Sequence, residues 1–178
     1  GGDDRLDVYV RDIDSLLAAT LDAPGATCVT SRYCGRCVAI ERSGDVFACD
    51  HFVDWGHHLG NVREVGLAAQ VDSEQQARFG LDKAESLPRQ CRECAHLRVC
   101  WGGCPKDRDA TTRDGEFGLN RLCAGYFAYF EHAAPVMQKM ARCLKAARPA
   151  SDWRVIDRVQ APSSVERNAV CPCGSGRK

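Results

Sequence analysis

Twelve cysteines in 178 residues constrain this chain more than any other feature. They stand at 28, 34, 37 and 49, at 91, 94, 100, 104 and 123, at 143, and at 171 and 173. Thiols at such density serve as disulfides, zinc ligands or iron–sulfur ligands. Disulfides belong to oxidising compartments and to chains too short to build a core. A chain of this length buries around two-thirds of its unfolded surface without staples. The opening Gly1-Gly2-Asp3-Asp4-Arg5 is also unlike a basic-then-apolar secretory leader. Metal or cluster ligation in a reducing cytoplasm is the expectation.

Spacing sharpens the choice. Cys91-x2-Cys94-x5-Cys100-x3-Cys104 brings four soft ligands into a short run. The C-x2-C pairs at 34/37 and 91/94 fit a zinc ribbon loosely, but leave Cys49, Cys100, Cys104 and Cys123 without a purpose. Irregular, longer spacings suit iron–sulfur sites, whose ligands converge from separate turns. Charge adds an exclusion: 24 Lys+Arg against 24 Asp+Glu give no electrostatic case for nucleic acid. No apolar run approaches the roughly 18 residues of a membrane helix.

Local patterning predicts an amphipathic helix over 5–21, from Leu6, Val10, Ile13, Leu17 and Leu21, closed by Pro24-Gly25. Residues 37–49 read as a hairpin around Ser43-Gly44-Asp45, which delivers Cys34 and Cys49 to one end. His51-Phe52-Val53 and Leu59-Gly60-Asn61-Val62 read as extended, and 72–86 as a polar helix before Pro88. The strongest helical pattern covers 119–146, with Pro135 expected to kink it or start a second helix. Pro149, Pro162 and Ser163-Ser164 mark a linker.

Together, Cys34-x9-Gly44-x4-Cys49, the run from Cys91 to Cys104, and Cys123 resemble the SPASM domain, an extension of certain radical S-adenosylmethionine enzymes. Cys28-x5-Cys34-Gly35, Cys49-Asp50-His51-Phe52-Val53, Leu59-Gly60-Asn61-Val62 and Cys100-Trp101-Gly102-Gly103-Cys104-Pro105-Lys106 resemble, more narrowly, the anaerobic sulfatase-maturating enzymes. The resemblance implies that Cys28, Cys34, Cys49 and Cys104 hold one auxiliary [4Fe-4S] cluster, and Cys91, Cys94, Cys100 and Cys123 a second. Four thiolates per cluster leave no open iron, so such clusters pass electrons or brace the fold. It further implies oxidation of a sulfatase cysteine or serine to Cα-formylglycine, with Asp50 as the base that takes the substrate proton. The implied partners are a sulfatase or other peptide and an electron carrier such as flavodoxin or ferredoxin.

One departure is large. No cysteines here have the C-x3-C-x2-C spacing that radical generation needs, and the barrel that bears it is absent. S-adenosylmethionine and a third [4Fe-4S] cluster therefore belong to a missing N-terminal part, and this chain alone is expected to be inactive. The tail around Cys171-Pro-Cys173 resembles half of a SEC-C zinc motif, so zinc is the candidate ligand there.

The expected architecture is α+β: a small β-hairpin, cysteine-bearing loops and flanking helices of SPASM type, without the radical enzyme's barrel. Its parts are a leading helix to 25, the auxiliary-cluster domain over 26–148, a linker over 149–168 and the partial zinc motif over 169–178. Cys37 and Cys143 carry no role in the resemblance and read as buried thiols. His51, His57 and His58 read as loop histidines outside the site. Lys106 and Arg108 read as solvated. The alternatives are a zinc-binding interaction module and a stand-alone iron–sulfur electron carrier.

Overall fold

The structure, a computed structural model, describes residues 9–23 and 27–155. Its first element is α1 (Arg11–Thr20), which buries Ser15 and Leu16. The expected helix is thus present, although its first residues and the Pro24-Gly25 stop lie outside the described residues. A short 3-10 turn, Cys28–Thr30, follows and leads to the hairpin.

The hairpin joins β1 (Ala39–Ile40) to β2 (Asp45–Phe47), with Ala39 opposite Phe47 and Ile40 opposite Val46. Gly44 takes φ 94° in its turn, a conformation that favours glycine. A third antiparallel strand, β3 (His58–Asn61), pairs with β2 through a bulge at Val46/Phe47. The sheet is therefore one strand larger than the predicted hairpin. His51 lies in a turn closed by Phe52 N on Cys49 O (3.0 Å), Phe52 and Val53 belong to no strand, and Asp54 accepts from Gly56 N at 3.1 Å to start the next turn. Val46, Phe47 and Ala48 are buried and form the sheet's part of a small apolar core with Leu16, Leu87 and Phe130.

Two helices then follow, α2 (Leu67–Val71) and α3 (Glu74–Glu85). Ser73 caps α3, its hydroxyl accepting from Gln76 N at 3.2 Å. The outer face of α3 is laced by Arg78 with Asp82 (2.7 Å) and Glu85 (2.9 Å). Its inner face is also polar: the buried residues are Gln76, Gly80 and Lys83. Spaced four and three apart, they share one side of the helix.

Of the central cysteines, Cys91 sits on the single turn α4 (Arg89–Arg92) and Cys100 ends the single turn α5 (Leu97–Cys100), with Cys94 between them and Pro88 as the residue before α4. A small hairpin, β4 (Ala110–Thr111) with β5 (Phe117–Leu119), follows; no sequence signal marked it. The last long element is α6 (Cys123–Lys145), which runs as a single helix through Pro135. No second helix starts at Pro135.

The chain divides into two compact units, 1–138 and 139–178. In the second, Arg148 pairs with Asp152 at 3.1 Å, and Lys139 and Arg154 lie over the Trp153 ring. Cys143 is buried there, as expected, at 1% exposure. Cys37, in contrast, is exposed, because the loop before β1 turns it away from the interior. The interior is a mixture of apolar sheet and polar side chains bonded to main-chain carbonyls.

Candidate iron–sulfur centre

The polar inner face of α3 organises the loops that carry Cys28, Cys34 and Cys49. Gln76 Nε2 donates to Gly35 O (3.3 Å) and to Ala48 O (3.0 Å), so residues adjoining Cys34 and Cys49 meet on one amide. One turn on, Cys34 N donates to Gly80 O at 3.1 Å. A Cβ on Gly80 would stand 2.9 Å from Cys34 O, so the loop lies against the helix only where a side chain is missing. A further turn on, the Lys83 ammonium donates to Cys28 O, to Val29 O (3.0 Å) and to Ser31 O (2.5 Å). Helix and loops are thus joined by hydrogen bonds to the loop backbone, beside the edge-to-face packing of Phe79 of α3 on Phe52 at 5.4 Å.

The segment after α5 is built on the same plan. Trp101, Gly102 and Gly103 have φ of 47°, 69° and 64°, which turns their carbonyls inward. Arg108 collects them: Nη2 donates to Trp101 O (2.7 Å) and Gly103 O (3.4 Å), and Nε to Gly102 O (3.2 Å). A Cβ on Gly102 would fall 2.5 Å from Leu87 and 2.9 Å from the Arg108 guanidinium, so the close approach requires glycine. Asn120 completes the frame, donating to Gly102 O (3.1 Å) and Cys104 O (3.4 Å) while accepting from Leu122 N (2.8 Å). This fixes Cys123 at the first residue of α6 beside Cys104's loop. Arg108 is 7% exposed, which corrects the solvated reading; five neighbouring acceptors take its donors in place of water.

Electrostatics divides the thiols. The charge of Cys34 is felt by Cys49, and Cys34 in turn feels Cys28 and Cys104. Cys104 feels Cys28. Separately, Cys91 feels Cys123, Cys100 and Cys94; Cys100 feels Cys123 and Cys94; and Cys123 feels Cys94. These leading influences between cysteines fall inside one quartet or the other. Burial raises the pKa of Cys34, Cys100, Cys104 and Cys123, and pushes Cys49 and Cys91 up to about 11. Without metal these thiols hold their protons at neutral pH.

Cys91, Cys94, Cys100 and Cys123 all line one cavity of about 730 Å³, bounded by Leu97, Leu119 and Phe127 among others. Soft donors around an apolar chamber fit an iron–sulfur group. Among the described residues, no group of three or more His, Cys, Asp or Glu side chains is gathered tightly around a single-ion position. His96 adjoins this quartet: its N–H donates to Cys94 Sγ at 3.4 Å, and its ring lies 2.6 Å from Glu131.

Asp50 is exposed and accepts from the Cys49 thiol at 3.2 Å. That hydrogen bond is the first cause of its lowered pKa. His51, set aside in the sequence reading, has Nδ1 3.3 Å from Cys104 Sγ. No spacing pattern could show this, because the two residues meet only through the fold. His57 and His58 pair with Asp54 (2.8 Å) and Asp45 (3.2 Å), as loop histidines do. Lys106 lies over the Phe52 ring at 4.9 Å. Cys171 and Cys173 lie outside the described residues.

Comparison with known proteins agrees with this frame. Residues 28–95 match the family model described as SPASM, an iron–sulfur cluster-binding domain. The particular relatives are anaerobic sulfatase-maturating enzymes. The chain is 43% identical over 134 residues to the serine-type enzyme of Bacteroides thetaiotaomicron, covering 75% of this chain and 32% of that protein. It is 36% identical over 151 residues to the serine-type enzyme of Klebsiella pneumoniae, covering 85% and 35%. Against the cysteine-type enzyme of Clostridium perfringens, identity is 27% over 138 residues, covering 78% and 37%. The structure of native anSMEcpe with bound AdoMet and Kp18Cys peptide superposes with TM-score 0.65 at 27% identity, over 76% of this chain and 37% of that one. The chain thus spans about a third of the length of its curated relatives.

Proposed function

We propose that this chain binds two auxiliary [4Fe-4S] clusters as the C-terminal part of a radical enzyme resembling the anaerobic sulfatase maturases. Cys28, Cys34, Cys49 and Cys104 would hold one, and Cys91, Cys94, Cys100 and Cys123 the other. The observation that carries this reading is the meeting of Cys91, Cys94, Cys100 and Cys123 around one cavity. The mutual influences of the thiols, which fall inside one quartet or the other, support it.

When bound, such clusters supply one-electron chemistry to an enzyme that oxidises its peptide substrate. The protein's own part is to fix the ligands and to meet the substrate. The α3 face holds the first quartet's loops, and the Arg108–Asn120 frame sets Cys100 against Cys104 and Cys123. Asp50, exposed beside Cys49, would take the proton from a substrate thiol or hydroxyl. S-adenosylmethionine binding and radical generation would reside in residues preceding this chain in the whole enzyme, with a sulfatase peptide as substrate and a flavodoxin or ferredoxin as electron carrier.

Iron and acid-labile sulfide, counted on protein prepared without oxygen, test the reading. About eight of each per chain is expected from two cubanes. Zinc without sulfide would replace it with a zinc-binding module.

A further inference from the structure

Two cations are buried in this lobe, and among the described residues neither has a carboxylate partner. Lys83 is 1% exposed and Arg108 is 7% exposed. Their hydrogen bonds go to carbonyls and to one hydroxyl. Carbonyl dipoles satisfy the donors, but they leave the net charge uncompensated, and an uncompensated buried charge is costly. The groups placed to become anionic beside these cations, on ligating a cluster, are cysteines. Lys83 feels Cys34, Cys28 and Cys104, all of the first quartet. Arg108 feels Cys91 and Cys100 of the second quartet, and Cys34 and Cys104 of the first.

Placement explains the difference. Lys83 is tied to the carbonyls of Cys28, Val29 and Ser31, the strip of chain between Cys28 and Cys34. Arg108 is tied to the carbonyls of 101–103, the strip that joins Cys100 of one quartet to Cys104 of the other. One cation therefore sits under the first site alone, and one sits between the sites.

We propose that Lys83 and Arg108 are built-in counter-cations of the two clusters, Lys83 for the first and Arg108 shared by both. They are positioning residues that set reduction potentials. Adding an electron makes a thiolate-ligated cluster more negative, so a nearby fixed positive charge favours the reduced form and raises the potential. The inference rests on the two-cluster reading.

The test is an anaerobic redox titration of the cluster-loaded full-length enzyme, followed by electron paramagnetic resonance. Cys94→Ala, which spares the first quartet, assigns the two signals. Arg108→Gln should lower both midpoints, and Lys83→Gln should lower the first alone. Each shift should reduce the reduced-to-oxidised ratio at fixed potential by about tenfold, ~59 mV for one electron. Arg108→Lys and Lys83→Arg keep the charge while altering the hydrogen-bond geometry, and should stay near the wild-type midpoints. Unchanged midpoints in loaded Gln variants would overturn the proposal, as would charge-retaining variants that shift as far as the Gln variants. If the Gln variants take up no iron, the charge-retaining pair decides. Loading with native midpoints supports the proposal, and failure to load makes the residues scaffold only. Wild-type protein without iron and sulfide would instead reject the two-cluster reading.

Discussion

The Arg108 guanidinium donates to the Lys83 main-chain oxygen at 2.7 Å, so the frame of one buried cation is anchored on the residue that carries the other. This contact connects the last turn of α3 to the 101–108 segment. The loops of the first quartet and the junction between quartets are thereby held on a common support. Few of these links are apolar, which makes single polar or glycine positions unusually consequential.

Gly80 is the first such position. A side chain there meets the Cys34 carbonyl at 2.9 Å, and main chain cannot swing aside as a flexible side chain can. Gly80→Val should lift the Cys34 loop from α3 and spare the second quartet. Iron per chain should fall from about eight to about four. Full iron loading in this variant would show that the loop does not depend on the close approach.

Asn120 is the second. Asn120→Ala removes donors from Gly102 O and Cys104 O and an acceptor from Leu122 N, all at a residue only 3% exposed. Leaving buried groups unpaired should cost about 2–3 kcal/mol. Denaturant unfolding of the protein without metal reads this directly; a change below about 0.5 kcal/mol would contradict the role given to the frame.

The proposed ligands were legible in the sequence, and the reason is chemical. Iron–sulfur ligands are most often cysteines, so their spacing is a visible pattern, whereas any of several residue types can support them. The support was therefore hidden. A polar helix over 72–86 could be read, but not that Gln76, Gly80 and Lys83 turn inward, because inward polar residues break the amphipathic rule. Arg108 looked solvated for the same reason. His51 reaches Cys104 across 53 positions of chain, and β4–β5 is too short for alternation to register. Cys37 had no distinguishing signal, and its exposure comes from the loop's path.

The thiol shifts imply a pH dependence. In Cys34, Cys49, Cys91, Cys100, Cys104 and Cys123 burial raises the folded pKa above the ordinary 9.0, to about 11 for Cys49 and Cys91. Above pH 9 the unfolded chain releases these protons first, so it binds fewer than the folded chain. Stability of the metal-free protein should be full below pH 9 and fall between about pH 9 and 11. Thermal unfolding across that window checks it. The iron-loaded protein should lack this loss, since its thiolates are already deprotonated by ligation.

Asp50→Asn removes the proposed base and keeps its size. In the full-length enzyme, turnover should fall on the order of 10²–10⁴-fold with iron and sulfide content unchanged. A turnover near wild type would leave Asp50 as a hydrogen-bond partner of Cys49 alone.

The division of eight thiols into two quartets is tested most directly by removing one quartet whole and counting iron and sulfide without oxygen. With Cys28, Cys34, Cys49 and Cys104 all changed to Ala, about four irons and four sulfides should remain; changing Cys91, Cys94, Cys100 and Cys123 should give the same residue. A control that changes Cys28, Cys34, Cys91 and Cys94 should lose both clusters. Equal retention in that mixed variant, or complete loss in either quartet variant that still folds, would contradict the assignment.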